Sequence, residues 1–223
     1  QLLSLGWPAD RFIAGRPFIS PKAFEPPADL PREGVLLLHD LTPEDPEQAG
    51  ITLYSHKVLW QNMRERLNGQ PDTWQAADAS RWLMAAQAST GTDLSDPAVQ
   101  EQFAAAVQKH LAPSVILSGA AKAILDAGLP LKIVGAGWNK IDWAKPAWSG
   151  SADDARQRAE LLRRSRVVIL GDSRPGQAWL AMEATAAGTA IMARGLWPES
   201  DPAMLLTPGR ELVVWAGQQE LVE

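Results

Sequence analysis

The chain contains no cysteine among its 223 residues. Without thiols it can form neither a disulfide framework nor a thiolate metal site, and a reducing compartment is permitted. Histidine is scarce as well, with only His39, His56 and His110, and no His/Asp cluster has the spacing of metal ligands. No apolar run approaches the roughly 18 residues of a membrane-spanning helix. These absences exclude disulfide-stapled, thiolate-metal and membrane-helix classes.

Positive charge is also in short supply, since 21 Lys and Arg face 26 Asp and Glu, for a formal charge of −5. Nucleic acids and anionic membranes bind preferentially to basic surfaces, so neither is expected as the main partner. Hydrophobic content of 46% is that of an ordinary globular protein, and the length suits one large domain or two small ones. The sequence begins with Gln1 rather than Met. We therefore expect a processed chain or a fragment of a longer protein.

Tyrosine and phenylalanine are few, whereas tryptophan occurs ten times. Large aromatic side chains mostly pack in cores, and this role is predicted for most of them. Trp138, Trp143 and Trp148 crowd one short segment. A ligand-facing role for one of these three is the weaker alternative.

The chain divides into a proline-rich start and one alternating domain. Residues 1–33 hold six of the seventeen prolines and predict an extended, linker-like segment. Residues 34–223 predict a single domain in which 55–110 form a helical insertion. Helices are predicted at 55–70, 76–90, 97–110, 114–128, 151–165 and 177–188, and strands at 34–41, 129–137, 166–170, 189–193 and 211–216. Such alternation predicts an α/β fold, a Rossmann-like parallel sheet with helices on both faces.

Two motifs that resemble catalytic or cofactor-binding signatures lack residues that those signatures require. "GDS" at 171–173 follows a strand but lacks the elbow spacing of serine hydrolases, and no histidine follows it. "GAGWNK" at 135–140 begins like a dinucleotide fingerprint but lacks its third glycine and its helix. Gly135 and Gly137 then mark a tight turn at a strand end, with close approach to a ligand as the alternative.

The "GDSRPGQ" loop is more informative because a helix follows it. Backbone N–H groups near Gly176 and Gln177 would form an anion site at that helix start, with Arg174 as a cation beside it. Glu183 lies seven residues beyond Gly176, on nearly the same helix face. Its carboxylate could accept the two hydroxyls of a ribose. A plain strand-to-helix loop and a solvated helix acid are the alternatives, although the surrounding alanines argue against a freely exposed acid.

Four segments of the C-terminal half carry a family resemblance: "LAMEATAAGTAIMARG", "ILDAGLPLKIVGAGW", "ARQRAELLRRSRVVIL" and "PGRELVVWAGQQELVE". They resemble the C-terminal, donor-binding domain of GT-B glycosyltransferases, in particular its CgeB-like, spore-maturation branch. The resemblance covers roughly residues 113–223 and, more loosely, 34–41. It implies binding of the nucleotide half of a sugar nucleotide. By the same resemblance Glu183 matches the second glutamate of the E-x7-E motif, which holds the donor ribose, while Gly176 and Gln177 match the helix start facing the diphosphate.

The chain departs from the family pattern at two positions. Pro175 stands where the first glutamate of the motif is expected, and Ala181 stands where CgeB-like members often carry arginine. The acceptor domain that precedes the donor domain in GT-B enzymes has no counterpart here. Three explanations stay open: that half was removed, lies on another chain, or never existed.

The sequence thus predicts the donor domain of a metal-independent, cytoplasmic, bacterial-type glycosyltransferase that binds a UDP- or GDP-sugar. No metal or separate cofactor is expected. A separate acceptor domain or a protein partner is expected. The first alternative is a degenerate Rossmann-like module that acts as a protein-interaction scaffold. The second is a phosphosugar-handling α/β enzyme, which would lack an acid–base pair because the C-terminal half contains no histidine.

Overall fold

The computed structural model describes residues 24–25, 30–41, 45–74, 78–171, 175–194, 206, 209 and 212–222, with backbone alone at 175–178. Five short parallel strands form its sheet: β1 (Val35–Leu38), β2 (Leu131–Val134), β3 (Val167–Leu170), β4 (Ala190–Arg194) and β5 (Val213–Trp215). They lie side by side in the order β2-β1-β3-β4-β5. The predicted parallel α/β sheet is confirmed. Four of the predicted strands contain an observed strand, and the one predicted at 189–193 overlaps β4, which extends one residue further to Arg194.

Six α-helices accompany the sheet in the described ranges: α1 (Tyr54–Gly69), α2 (Ala79–Thr90), α3 (Pro97–Ala106), α4 (Ala112–Asp126), α5 (Ala155–Arg164) and α6 (Pro175–Ala186). Asp96 caps α3 by accepting a hydrogen bond from the Ala98 amide, as its Asp-Pro sequence predicts. Asp154 caps α5 by accepting from the Gln157 amide. It therefore lies just before the first residue of α5, so this helix begins four residues later than the range 151–165 predicted from the sequence.

A π-helical turn, Val107–Leu111, joins α3 to α4 without a break. The sequence predicted two separate helices here. Pro113 cannot donate a backbone hydrogen bond, and its ring crowds the carbonyl four residues earlier. The wider π turn directly precedes this proline, and the chain stays helical through it.

Alternating strand residues divide the core into two layers. Leu37, Ile133 and Ile169 pack with α1 to α4 on one face of the sheet. Leu36 and Val168 pack with α5 and α6 on the other. Successive strand side chains point to opposite faces, so continuous apolar strands need helices on both sides. The predicted covering of both faces is confirmed.

A single-residue bridge extends the sheet beyond β2. Trp148 pairs in parallel with Ile133, and the Ser149 amide donates to the Ile133 carbonyl at 2.8 Å. If this bridge is counted as a minimal strand, the spatial order becomes 3-2-1-4-5-6. That is the order of doubly wound, dinucleotide-binding sheets.

Arg32 joins the segment before β1 to the end of α6. Its guanidinium donates to the Ala187 carbonyl at 2.7 Å and also to the Gly188 carbonyl. Gly188 has φ +65°, the left-handed conformation that commonly ends helices. A cation at a helix C-terminus also favours the helix dipole.

Arg32→Ala is therefore expected to lower the free energy of unfolding by about 1–2 kcal/mol, because two charge-assisted hydrogen bonds are lost. Urea denaturation followed by circular dichroism measures the change. Arg156→Ala, which removes an exposed arginine from α5, serves as the matched control and should change stability by less than about 0.5 kcal/mol. Equal stabilities for the two variants would contradict the helix-capping role.

Candidate functional site

The candidate site lies at the carboxyl edge of the sheet, where the strand order reverses. From β1 the chain crosses to β2, and from β2 it returns past β1 to β3. Ligands of open α/β sheets bind outside the carboxyl ends of the strands at such a switch point. The loops after β1 and β2 meet there, and the N-termini of α5 and α6 lie at the same edge of the sheet.

The loops after β1 and β2 bind each other tightly. The Asp40 carboxylate accepts from the Ala136 amide at 2.7 Å, and the Leu41 amide donates to the Ala136 carbonyl at 2.9 Å. Asp40 is exposed and His39 partly buried. The "HD" pair thus connects two strand ends through the Asp40 carboxylate.

Gly135 and Gly137 allow this close approach. Their φ angles are +144° and +88°. A Cβ on Gly135 would lie 2.1 Å from the His39 carbonyl oxygen, and one on Gly137 would lie 2.9 Å from that of Leu41. The backbone conformation and the close contacts therefore require glycine at both positions, in agreement with the predicted tight turn. Their contact with a donor ligand stays a prediction.

The tryptophans after β2 pack inward. Trp138 is fully buried, and its indole N–H donates to the His39 carbonyl at 2.7 Å. The Trp148 indole donates to the Gly135 carbonyl at 2.8 Å. Trp143 meets Trp138 edge to face, with ring centroids 6.4 Å apart. The predicted packing role is confirmed for these residues. The indole hydrogen bonds of Trp138 and Trp148 also stabilise the backbone of the loops after β1 and β2.

Glu183 is buried between α5 and α6, with 5% of its surface exposed. Arg158 of α5 binds it in a two-point ion pair: Nε donates to Oε2 at 2.9 Å and Nη2 donates to Oε1 at 2.8 Å. The hydrogen bond to Glu183 raises the pKa of Arg158, against a smaller opposing effect of burial. The solvated-acid alternative for Glu183 is therefore wrong.

Arg158 is the residue that sequence reasoning missed. It is one of four arginines in α5, and nothing in the sequence distinguishes it from the other three. The family resemblance placed an arginine at position 181, on the same helix as the glutamate, where Ala181 stands. Here the arginine that contacts the glutamate comes from the neighbouring helix.

The other predicted ligand residues lie at the start of α6 or just before it. Gly176 and Gln177 are in its first turn, about 10 Å along the helix axis from Glu183. Pro175 is the first residue of α6, a position that suits proline because its missing N–H is not needed there. Arg174 lies outside the described residues.

Trp179 adds an exposed aromatic side chain to this face of α6. It is 45% exposed, whereas every other tryptophan in the described ranges is buried or partly buried. It precedes Glu183 by four residues, so the two side chains are neighbours on the helix surface. Aromatic faces exposed beside polar groups are suited to stacking on planar ligands.

Comparisons with protein-family models, with curated proteins and with solved structures found no match for this chain. Within the described ranges, no three His, Asp or Glu side chains come together as a metal site requires. In the same part of the chain, no helix combines the length and apolar character needed to cross a membrane.

Proposed function

We propose that this chain is the nucleotide-binding, donor-type domain of a GT-B-like glycosyltransferase that uses a nucleoside diphosphate sugar. The observation that carries the proposal is the oriented carboxylate of Glu183. It lies between two helices whose N-termini open at the switch point of the sheet. The carboxylate oxygens can accept hydrogen bonds from hydroxyl groups, and the helix N-termini can bind phosphate. This arrangement suits a ligand with hydroxyls at one end and phosphates at the other.

The Arg158–Glu183 pair leaves capacity for a ribose. An ionised carboxylate offers about four lone-pair sites, and the two-point pair uses two of them. The Arg158 side chain is 29% exposed and that of Glu183 is 7% exposed. A ribose would therefore approach along the Arg158 side and donate its two hydroxyls to the remaining sites.

The start of α6 would hold the diphosphate. Its first-turn N–H groups and the positive end of the helix dipole favour anionic charge, and Arg174 would add a cation. When the sugar leaves, negative charge grows on the diphosphate, and fixed donors there would stabilise it without a metal ion. The acceptor would come from a separate domain or protein. We place this activity in the cytoplasm of a bacterial-type cell.

A second candidate, a protein-interaction scaffold derived from a nucleotide-binding domain, is favoured by two observations. Both carboxylate oxygens of Glu183 already accept hydrogen bonds from Arg158. Pro175 opens α6 where the resemblance expects a glutamate. Nucleotide binding distinguishes the two candidates.

UDP or GDP is expected to bind with a Kd below 1 mM in calorimetric titration and to quench part of the tryptophan fluorescence. Trp179→Phe should remove most of that quenching, because Trp179 lies beside the proposed ribose site. Glu183→Gln should weaken binding about tenfold, equivalent to about 1.4 kcal/mol, since a neutral amide accepts ribose hydroxyls less strongly.

Glu160→Gln is the matched control, because it changes an acid of α5 that pairs with Arg163 and Arg164 at the surface. It should leave nucleotide affinity unchanged, and circular dichroism should show each variant folded. Absence of binding by either nucleotide at millimolar concentration would contradict the donor-domain proposal. A stable protein complex, with no effect of nucleotide on the melting temperature, would instead support the scaffold.

A further inference from the structure

Arg194, the last residue of β4, is a buried cation that lacks an ion-pair partner in the described part of the chain. It is 2% exposed. No described carboxylate lies within ion-pair distance, and Asp72 acts on it only at longer range. Arginine is almost never fully buried unless it is paired, because removing its charge from water is costly. Burial lowers the pKa of Arg194, as expected for a cation without a close anion.

The contacts of Arg194 use only part of its hydrogen-bonding capacity. Nη2 donates to the Pro71 carbonyl at 2.6 Å and approaches that of Trp74 at 3.3 Å. The guanidinium carbon lies 5.1 Å from the centroid of the Trp215 ring. Nη1 is buried and has no acceptor among the residues that the structure describes.

Within the described ranges, two further buried polar atoms have no hydrogen-bond partner, the indole N–H of Trp215 and the hydroxyl of Ser118. Trp215 is fully buried in direct contact with Arg194. Nη1 and this indole are therefore two unmatched donors within one cluster. Native proteins leave few buried donors unpaired, so two together indicate a missing acceptor.

The position of this cluster separates it from the Arg158–Glu183 site. Ala193 packs in the layer of α5 and α6, whereas Trp215 and Trp74 pack in the layer of α1 to α4. Arg194 follows Ala193 and contacts Trp215, so its side chain lies on the α1 to α4 face. Ala193 is in register with Leu170 at the strand ends. Arg194 therefore lies at the carboxyl edge of the sheet, where α/β proteins bind ligands.

We infer that Arg194 and Trp215 form a binding site for a small oxyanion, a phosphate or carboxylate group. Its oxygens would accept from Nη1 of Arg194 and from the Trp215 indole, and its charge would neutralise the guanidinium. A guanidinium favours oxyanions because its planar N–H groups match their geometry. The inference does not depend on nucleotide binding at the Arg158–Glu183 pair.

The test uses the whole chain and inorganic phosphate, with sodium acetate as the carboxylate probe and sodium chloride at equal ionic strength as the reference. Phosphate or acetate at roughly fifty times its Kd should raise the melting temperature by about 5 °C relative to chloride. Arg194→Met should abolish this rise. Trp215→Phe keeps the aromatic face but removes the N–H donor, and should weaken binding about fivefold or more.

Arg81→Met is the control, because it removes an exposed arginine whose side chain is 69% exposed. It should preserve the full rise in melting temperature. If Arg194→Met does not fold, Trp215→Phe decides the question. Equal melting in phosphate, acetate and chloride would overturn the oxyanion site. So would a rise that persists unchanged in Trp215→Phe and in any folded Arg194 variant. Titrating UDP separately keeps this result distinct from that of the nucleotide site.

Discussion

Replacing Arg158 by methionine should lower the free energy of unfolding by about 3 kcal/mol, the range seen when one partner of a buried ion pair is removed. The substitution leaves the Glu183 carboxylate, whose side chain is 7% exposed, without its counter-charge. Urea denaturation at neutral pH measures the loss. The pKa of Arg158 is raised, so its contribution is fully present at neutral pH and is lost as the pH rises into the strongly alkaline range.

Two companion variants make this result interpretable. Arg163→Met breaks a pair with Glu160, which is 46% exposed, and should cost less than about 1 kcal/mol because water screens that pair. The double variant Arg158→Met with Glu183→Leu should recover most of the stability, since an apolar pair can replace a buried ionic one. An Arg158→Met variant as stable as the parent would show that the pair contributes nothing to folding.

The double variant also separates folding from function. If it is stable but binds UDP or GDP much more weakly than the parent, the ionic pair serves ligand binding rather than stability. If nucleotide affinity is unchanged, the ribose role proposed for Glu183 is wrong. The scaffold candidate predicts that nucleotide binds neither protein.

Gly135→Ala should produce a loss of about 3 kcal/mol or more. The new Cβ would lie 2.1 Å from the His39 carbonyl oxygen, a backbone atom that cannot rotate away. The φ of +144° is also strained for a residue with a side chain. Part of the effect would come from separating the loops after β1 and β2, which the Asp40–Ala136 hydrogen bond holds together.

Gly150→Ala is the matched control for Gly135→Ala. Gly150 lies in the same region and has φ +92°, but a Cβ there meets no atom within 4 Å. It should cost only the conformational penalty, about 1 kcal/mol. Thermal denaturation of both variants measures the difference. If they lose equal stability, close backbone packing at Gly135 is not the reason for that glycine.

Most of the fold could be predicted because its signals are local. Apolar runs of strand length, Asp-Pro at 96–97 and the glycines that follow α2, α4 and α6 specify elements through neighbouring residues. Alternation of helix and strand then leaves few topologies, since parallel crossovers are right-handed. The prediction of helix boundaries was least accurate at the junction before Pro113, where a π turn keeps the chain helical. Local signals marked a break there, and packing on both sides overrode it.

The candidate site could be predicted only in part. The sequence by itself determined the parallel sheet, the carboxyl edge where its loops meet and the place of Glu183 on the helix that leaves β3. Only the tertiary structure decided that Glu183 is buried against Arg158, 25 positions earlier, and that Arg194 lies against Trp215 with an unmatched donor. Periodicity tells which side of a helix or strand is apolar. It does not tell which polar group of another element will lie opposite, because that depends on how the elements pack in three dimensions.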